Sequence, residues 1–373
     1  MKPLLAKLVG LDHRLEGAIE RGRDNNFDLL RLTAALAVLF GHSFVLTAGQ
    51  TSLETVDPIS RFLIPNTGFN EAIHDLAVDI FFVISGFLVA RSFLTQKTLV
   101  GFIEARVLRV FPAAILCALL TVTGLFWLGT LPATNYFTDP ETWQFLINNS
   151  TLWRVEYDLP GVFAANAYGG AVNGSLWTLP IELRAYVFLT LLGVLRLLRF
   201  RHATNLVLAI LVVLFLVPEW SSIVTRNEDK WRLFLFFFAG AGFYINRKYI
   251  PLGLLPPVAL LALYMGTAAF PKLHALIFVV LVSYITLALA LARYYPALDP
   301  GKVGDVSYGV YLYAFPVQQA LVQLLPPTLN GWWLAVAASI VTILLAAISW
   351  FLVEKRVLTK KGYMANKMAR HSR

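Results

Sequence analysis

Apolar runs of bilayer-crossing length recur along this chain, and no other feature narrows its possible folds so far. They lie at about residues 28–47, 72–93, 110–129, 176–196, 203–218, 231–247, 251–269, 272–292, 303–325 and 331–353. A hydrocarbon core about 30 Å thick takes about 20 helical residues to cross, and inside it each backbone N–H and C=O must be bonded within the segment. The pattern predicts an all-α, polytopic membrane protein with about ten transmembrane helices. Composition agrees, with 58% hydrophobic and 14% charged residues, against about 25% charged in soluble domains. No internal repeat, low-complexity tract or soluble domain interrupts the series, so residues 1–373 read as one membrane domain.

The net charge of +9 has to be sorted by loop before it says anything about partners. With the N-terminus in the cytoplasm, cytoplasmic segments hold 23 of the 31 Lys/Arg. The opposite side holds six (Arg61, Arg154, Arg226, Lys230, Arg232 and Lys272), while Arg31 and Arg184 fall within spans. That asymmetry places both termini in the cytoplasm and turns the basic excess into a membrane fringe, with no nucleic-acid partner. Residues 1–26 carry Leu4, Leu8, Leu11 and Leu15 on one helical stripe and read as an interfacial, uncleaved N-terminus. Residues 354–373 form a basic cytoplasmic tail, and the long external loop 130–175 mixes Trp143, Trp153, Tyr157, Phe163 and Tyr168 with several Asn. Such a mix suits a folded cap or a carbohydrate surface, or an aromatic belt at the interface. The single Cys117 lies in an apolar run, so neither a disulfide framework nor a cysteine nucleophile is expected.

Ionisable residues inside spans cost about 3 kcal/mol or more each unless they face a protein interior or a wet cavity, which makes them candidates for function. Arg31 and His42 share the first span eleven residues apart, about 16 Å along a helix and on one face. Asp79 in the second span and Glu182 in the fourth fall at a depth similar to that of His42, about 10 Å below the outer boundary. A carboxylate beside an imidazole supports it as a general base that activates a hydroxyl. The plainer alternatives are a helix cap for Asp79 and pairing with Arg184 or a Tyr for Glu182. At the inner pole Arg106 and Arg109 stand at i, i+3 just before the third span, with Arg91 and Arg31 nearby in depth. Guanidinium forks bind phosphate oxygens bidentately, although each arginine alone also fits a topological signal. Two poles roughly 16 Å apart suit a ligand with a phosphate head and a long thin arm.

Six blocks carry a resemblance: FDLLR with Arg31-x10-His42, VDIFFVISGFLVAR (Val78 to Arg91), RVLRVFP (Arg106 to Pro112), GSLWTLPIELRAY (Gly174 to Tyr186), GDVSYGVYLYAFPV (Gly304 to Val317) and SWFLVEKR (Ser349 to Arg356). Together, and in this order, they resemble acyltransferase family 3, integral-membrane O-acyltransferases of surface polysaccharides and related glycans. The resemblance implies an acyl-CoA donor, usually acetyl-CoA, taken from the cytoplasm, and an acceptor sugar hydroxyl on the far side. Its functional residues fall on Arg31, His42, Arg106, Arg109, Ser175, Trp177 and Glu182, with Tyr186 one turn on. Ser85, beside Gly86, stands where either substrate contact or close helix packing would use a small residue, and Trp177 also reads as a boundary aromatic. The chain departs at Ala314, where relatives often carry His; Gln318, one turn on, offers a polar contact instead. It also reads Glu-Lys-Arg where relatives often have Glu-Pro. Members that append an extracytoplasmic hydrolase-like domain differ from this chain, which is expected to work alone or with a separate partner.

The sequence thus points to a cell-membrane enzyme moving an acyl group, acetyl expected, from CoA to a glycan hydroxyl. No metal is expected; the partners are acyl-CoA, the glycan acceptor and the lipid bilayer. His42 acts as base, supported by Asp79 or Glu182, with direct transfer and an acyl-histidine intermediate both open. The alternative class is a polysaccharide exporter or flippase, which more often shows two related halves with broken helices, a symmetry not found in this sequence.

Overall fold

The computed structural model describes residues 14–20, 22, 25–49, 56–67, 72–221, 227–292, 300–302, 304–326, 328–360 and 362. The stripe positions Leu4, Leu8 and Leu11, the charge Arg226 and most of the basic tail lie outside the described residues. The fold is all helical, with α1 at Leu15–Glu20, α2 at Phe27–Ala48, α3 at Pro58–Thr67, α4 at Ile73–Thr95 and α5 at Leu99–Leu125. Two short helices follow, α6 at Ala133–Thr138 and α7 at Pro140–Thr151, then α8 at Leu179–Val194 and α9 at Arg201–Leu216. The rest comprises α10 at Glu228–Ile245, α11 at Leu255–Gly266, α12 at Pro271–Ala290, α13 at Ser307–Leu324 and α14 at Gly331–Ser349.

A helix stands at each of the ten expected spans, but six are long and apolar enough to cross a membrane: Phe27–Ala48, Ile73–Thr95, Leu99–Leu128, Gly174–Val194, Pro271–Ala290 and Gly331–Leu358. This count, taken by length and composition over the described residues, does not confirm the expectation of about ten. The reasons are local: α9 and α11 are short, with 16 and 12 residues. α10 opens on Glu228, Asp229, Lys230 and Arg232, and α13 carries three glutamines and three tyrosines along 18 residues. The third span also starts earlier than expected, because the Thr98 side chain caps the helix by accepting from the Gly101 amide at 3.1 Å. Arg106 and Arg109 therefore lie within α5 and not ahead of it.

The long helices bury small residues and present large aliphatic ones outward. On α5 Ala113, Ala114, Cys117 and Ala118 are buried while Ile115, Leu119 and Leu120 are exposed; on α14 Ala335, Ala338 and Ala346 are buried while Val336, Ile340 and Leu344 are exposed. Small residues let helix backbones approach closely where lipid provides no hydrophobic drive between helices.

The chain divides into two compact units. The first takes residues 1–31, 78–95 and 184–299. Within it the backbones of α4 and α10 touch: a Cβ on Gly86 would run into the carbonyl of Phe237, and one on Gly240 into the carbonyl of Val83. Asn205 and Asn246 exchange amide hydrogen bonds of 3.1 and 2.8 Å between α9 and α10. Trp231, Phe236 and Phe237 fill the interior.

The second unit takes residues 32–77, 96–183 and 300–373. Segment 130–175 is folded: Asp139 caps α7, Pro140 occupies its first turn, and Leu152 closes it in the left-handed region. Tyr136, Phe145, Val162, Phe163 and Val172 make its core with Val122 of α5. The Tyr136 hydroxyl donates to the Val122 carbonyl at 2.9 Å, and burial pushes its pKa above the ordinary tyrosine value.

The α4–α10 contact generates a stability prediction. Gly86→Ala and Gly240→Ala each force two backbones apart, with an overpacking cost of about 1–3 kcal/mol, seen as a lower midpoint of thermal unfolding in detergent. Gly124→Ala meets no atom within 4 Å in α5, so the same measurement should leave its midpoint unchanged or raised, by the helix preference of Ala over Gly of about 1 kcal/mol.

Candidate functional site

In the second unit, α2 brings His42 to a small polar group. The His42 Nδ1 lies 3.5 Å from the Ser175 hydroxyl, a loose contact by hydrogen-bond standards. The ring stands 5.0 Å, centroid to centroid, from that of His74 and 5.3 Å from that of Phe315. Ser175 belongs to a 3₁₀ turn, Gly174–Thr178, directly ahead of α8. That turn is tied to α13: the Tyr311 hydroxyl donates to the Ser175 carbonyl at 2.7 Å and lies 2.6 Å from the Thr178 hydroxyl. Glu182, in the first turn of α8, is within electrostatic reach of Tyr311. It reaches the surroundings of His42 by way of Tyr311 and Ser175.

Gln318 holds α2 against α13 on both sides of His42. Its amide donates to the Leu39 carbonyl at 2.7 Å and to the Ser43 hydroxyl at 2.6 Å, and Ser43 donates to Leu39 in turn at 2.9 Å. The polar contact foreseen for Gln318 is therefore a fully buried clamp between helices. Ala314 sits in a dry seam with Leu39, Leu46, Phe315, Leu334 and Ala338. An imidazole in that seam would need a partner to offset its desolvation, which accounts physically for the small apolar residue at this position.

Three of the quoted blocks meet at Arg109. Its guanidinium forms an ion pair with Asp305 of the Gly304 to Val317 block and lies 3.8 Å from the carboxylate of Glu354. The rings of Tyr308 and Trp350 stand 5.7 and 5.9 Å from it. Asp305 also accepts from Ser307 at 2.6 Å, and Glu354 from Ser349 at 3.0 Å. Residues Trp350–Glu354 form a π-helical turn at the end of α14, which carries Glu354 inward to 2% exposure. A guanidinium already met by two carboxylates is a knot joining α5, α13 and the end of α14. Arg106, one turn earlier on α5, is half-buried.

In the first unit Asp79 is fully buried and ion-paired with Arg232 at 3.3 Å. Arg232, counted by sequence among the external loop charges, is thus the partner of a buried carboxylate, since an ionised group taken from water must be paired. The Ser85 hydroxyl lies 2.8 Å from that of Tyr186, so Ser85 joins α4 to α8 while its neighbour Gly86 serves the close packing described above. Arg31 stands near the start of α2, which runs unbroken to Ala48. Trp177 is half-buried in the 3₁₀ turn.

Sequence reasoning missed His74. It lies in the first turn of α4 and in none of the six blocks. The available signal was Gly41 directly before His42: the site of a Cβ there is occupied by the His74 ring. Among the described residues no three His, Cys, Asp or Glu side chains are grouped as a metal site.

The family described as an acyltransferase domain matches residues 24–351. An O-acetyl transferase from Shigella phage Sf6 is 32% identical over 356 residues, covering 91% of this chain and 98% of the relative. Nodulation protein 10 of Rhizobium leguminosarum bv. viciae is 31% identical over 364 residues, covering 90% and 93%. No solved structure matches the chain. With the family match running from before Arg31 to beyond Ser349 and two relatives aligned nearly end to end, the chain belongs to acyltransferase family 3.

Proposed function

We propose that this protein is a membrane O-acetyltransferase that moves an acetyl group from cytoplasmic acetyl-CoA to a hydroxyl of an extracytoplasmic glycan. The observation that carries the reading is His42, on a helix that Gln318 of α13 clamps at Leu39 and Ser43, with its ring nitrogen beside Ser175 on a pinned turn. The relative named as an O-acetyl transferase supports oxygen as the acceptor atom and acetyl as the group. In the reaction His42 takes the acceptor's hydroxyl proton as the oxygen attacks the thioester carbonyl, the C–S bond breaks, and the proton passes to the departing thiolate. The contact between Ser175 and Nδ1 leaves the other ring nitrogen for the acceptor. Glu182 is the carboxylate we assign to this group, through Tyr311 and Ser175; Asp79, already paired with Arg232, we assign to the packing of its own unit.

For the donor we assign Arg106 and Arg109 to the phosphates of the CoA moiety, and Arg31 by the Arg-x10-His pattern alone. Arg109 is already neutralised by Asp305 and Glu354, which lowers its own share of donor affinity. The split of Lys/Arg between loops supports both termini and the Arg91 to Arg109 segment lying in the cytoplasm, with segment 130–175 outside.

Purified protein incubated with radiolabelled acetyl-CoA and oligosaccharides of hexoses, 6-deoxyhexoses and N-acetylhexosamines should label at least one glycan. His42→Ala should lower that transfer by at least ~10²-fold with donor binding nearly intact; near-normal turnover would remove His42 from the chemistry. At the donor end, Arg106→Ala should weaken acetyl-CoA binding roughly 10-fold to 150-fold, the loss of charge-assisted bonds of about 1.5–3 kcal/mol, and Lys should rescue it in part. Arg109→Ala should chiefly lower the unfolding midpoint, because it strands two carboxylates. Equal and full donor affinity in both alanine variants would leave the pair as a topological signal. In a Cys117→Ala background, an impermeant thiol reagent should modify Thr138→Cys in intact cells and spare Lys97→Cys, two exposed positions; the reverse would invert the topology.

A further inference from the structure

His74 is the second residue of α4, and three features set it against α2 beside His42. First, Asp57 accepts from the backbone amide of Ser60 at 2.9 Å and from its hydroxyl at 2.6 Å, and that hydroxyl accepts from the amide of Ile73 at 2.6 Å. Asp57 and Ser60 are fully buried, so two polar side chains are committed to fixing the residue just before His74. Second, Gly41 provides a notch. A Cβ there would stand 2.6 Å from His74 Nδ1 and 2.9 Å from its Cβ, so any larger residue ahead of His42 would push the imidazole away. Third, the His42 and His74 rings touch at 5.0 Å with their planes 41° apart.

The notch is a costly place for an imidazole whose only work is to fill space. Its Nδ1 is shut from solvent and has no hydrogen-bond partner among the described residues, a loss that an apolar ring of the same shape would avoid. Its Nε2 lies 3.8 Å from Asp75. Asp75 stands one turn before Asp79 on α4, so the carboxylate that follows from His42 through a ring contact is the earlier of the two.

We propose that His74, backed by Asp75, is a positioning residue for His42: it holds the His42 ring and sets a carboxylate behind the imidazolium formed when His42 takes the acceptor's proton. The inference rests on the reading of His42 as the base. His74 and Asp75 exchange no proton in it; the proton goes from the hydroxyl to His42 and then to the thiolate, as above. Asp57, another acid near the start of α4, is bonded to Ser60 and does not compete.

The test compares kcat and KM for acetyl-CoA and for the glycan that accepts label, using purified His42→Ala, His74→Phe, His74→Gln and Asp75→Asn proteins. Phe keeps the ring contact and removes the nitrogens. His74→Phe should lower kcat about 10- to 100-fold, less than loss of a carboxylate bonded directly to a catalytic histidine, with both KM values within about 3-fold. Gln should recover part of the loss, and Asp75→Asn added to His74→Phe should cost little more, since coupled groups are non-additive. Full kcat in His74→Phe would reduce His74 to packing and overturn the proposal. Should that variant not fold, unchanged kcat in both His74→Gln and Asp75→Asn overturns it equally. An inactive His42→Ala beside a fully active His74→Phe rejects this inference alone, whereas an active His42→Ala rejects the base assignment beneath it.

Discussion

The pairing of Arg109 with Asp305 and Glu354 is the contact on which the second unit depends. A charge inside an apolar interior carries a desolvation penalty of several kcal/mol, and here one guanidinium answers two carboxylates from different parts of the chain. Removing the guanidinium strands both carboxylates, so α5, α13 and the end of α14 are held to one arrangement. From that knot α13 runs as a strut. Tyr308 bonds the Val110 carbonyl at 3.2 Å, Tyr311 secures the turn that bears Ser175, Phe315 meets the ring of His42, and Gln318 clamps α2. The residues around His42 therefore owe their placement to an ion pair at the far end of the same helix.

The first unit solves the same problem separately. Asp79 is buried and answered by Arg232, and the helices bearing them approach through Gly86 and Gly240. Close backbone contact and a buried ion pair support each other, because the small residues bring α4 near enough to α10 for a guanidinium to reach the carboxylate. Neither is a loop charge or a spacer that could be exchanged freely.

These two pairings change how the polar residues of the spans are understood. Depth along a span is a one-dimensional quantity, and by depth alone His42, Asp79 and Glu182 are equivalent neighbours. Hydrogen bonds and ion pairs separate them: Asp79 is paired with Arg232, Glu182 neighbours Tyr311, and His42 meets Ser175 and His74. An arginine likewise reads from sequence as a phosphate fork or a topological marker, and the partners of Arg109 are 196 and 245 residues from it in the chain, a separation that no local pattern spans.

The sequence by itself determined the helical class, the place of a helix at each of the ten apolar runs, and the family through six ordered blocks. Those follow from local physics: backbone bonds must close within a segment in lipid, and apolar length is visible one residue at a time. It also singled out His42 and Ser175, because each lies within a block. What only the tertiary structure decided was partnership. His74 carried no motif, and its role beside His42 arises from a notch at Gly41 that exists only once α2 and α4 are packed. Where each helix begins was decided by local caps and first turns, as by Thr98 for α5 and the charged opening of α10. Burial makes a polar atom's missing partner costly, and burial is a property of the packed chain that no span of sequence contains.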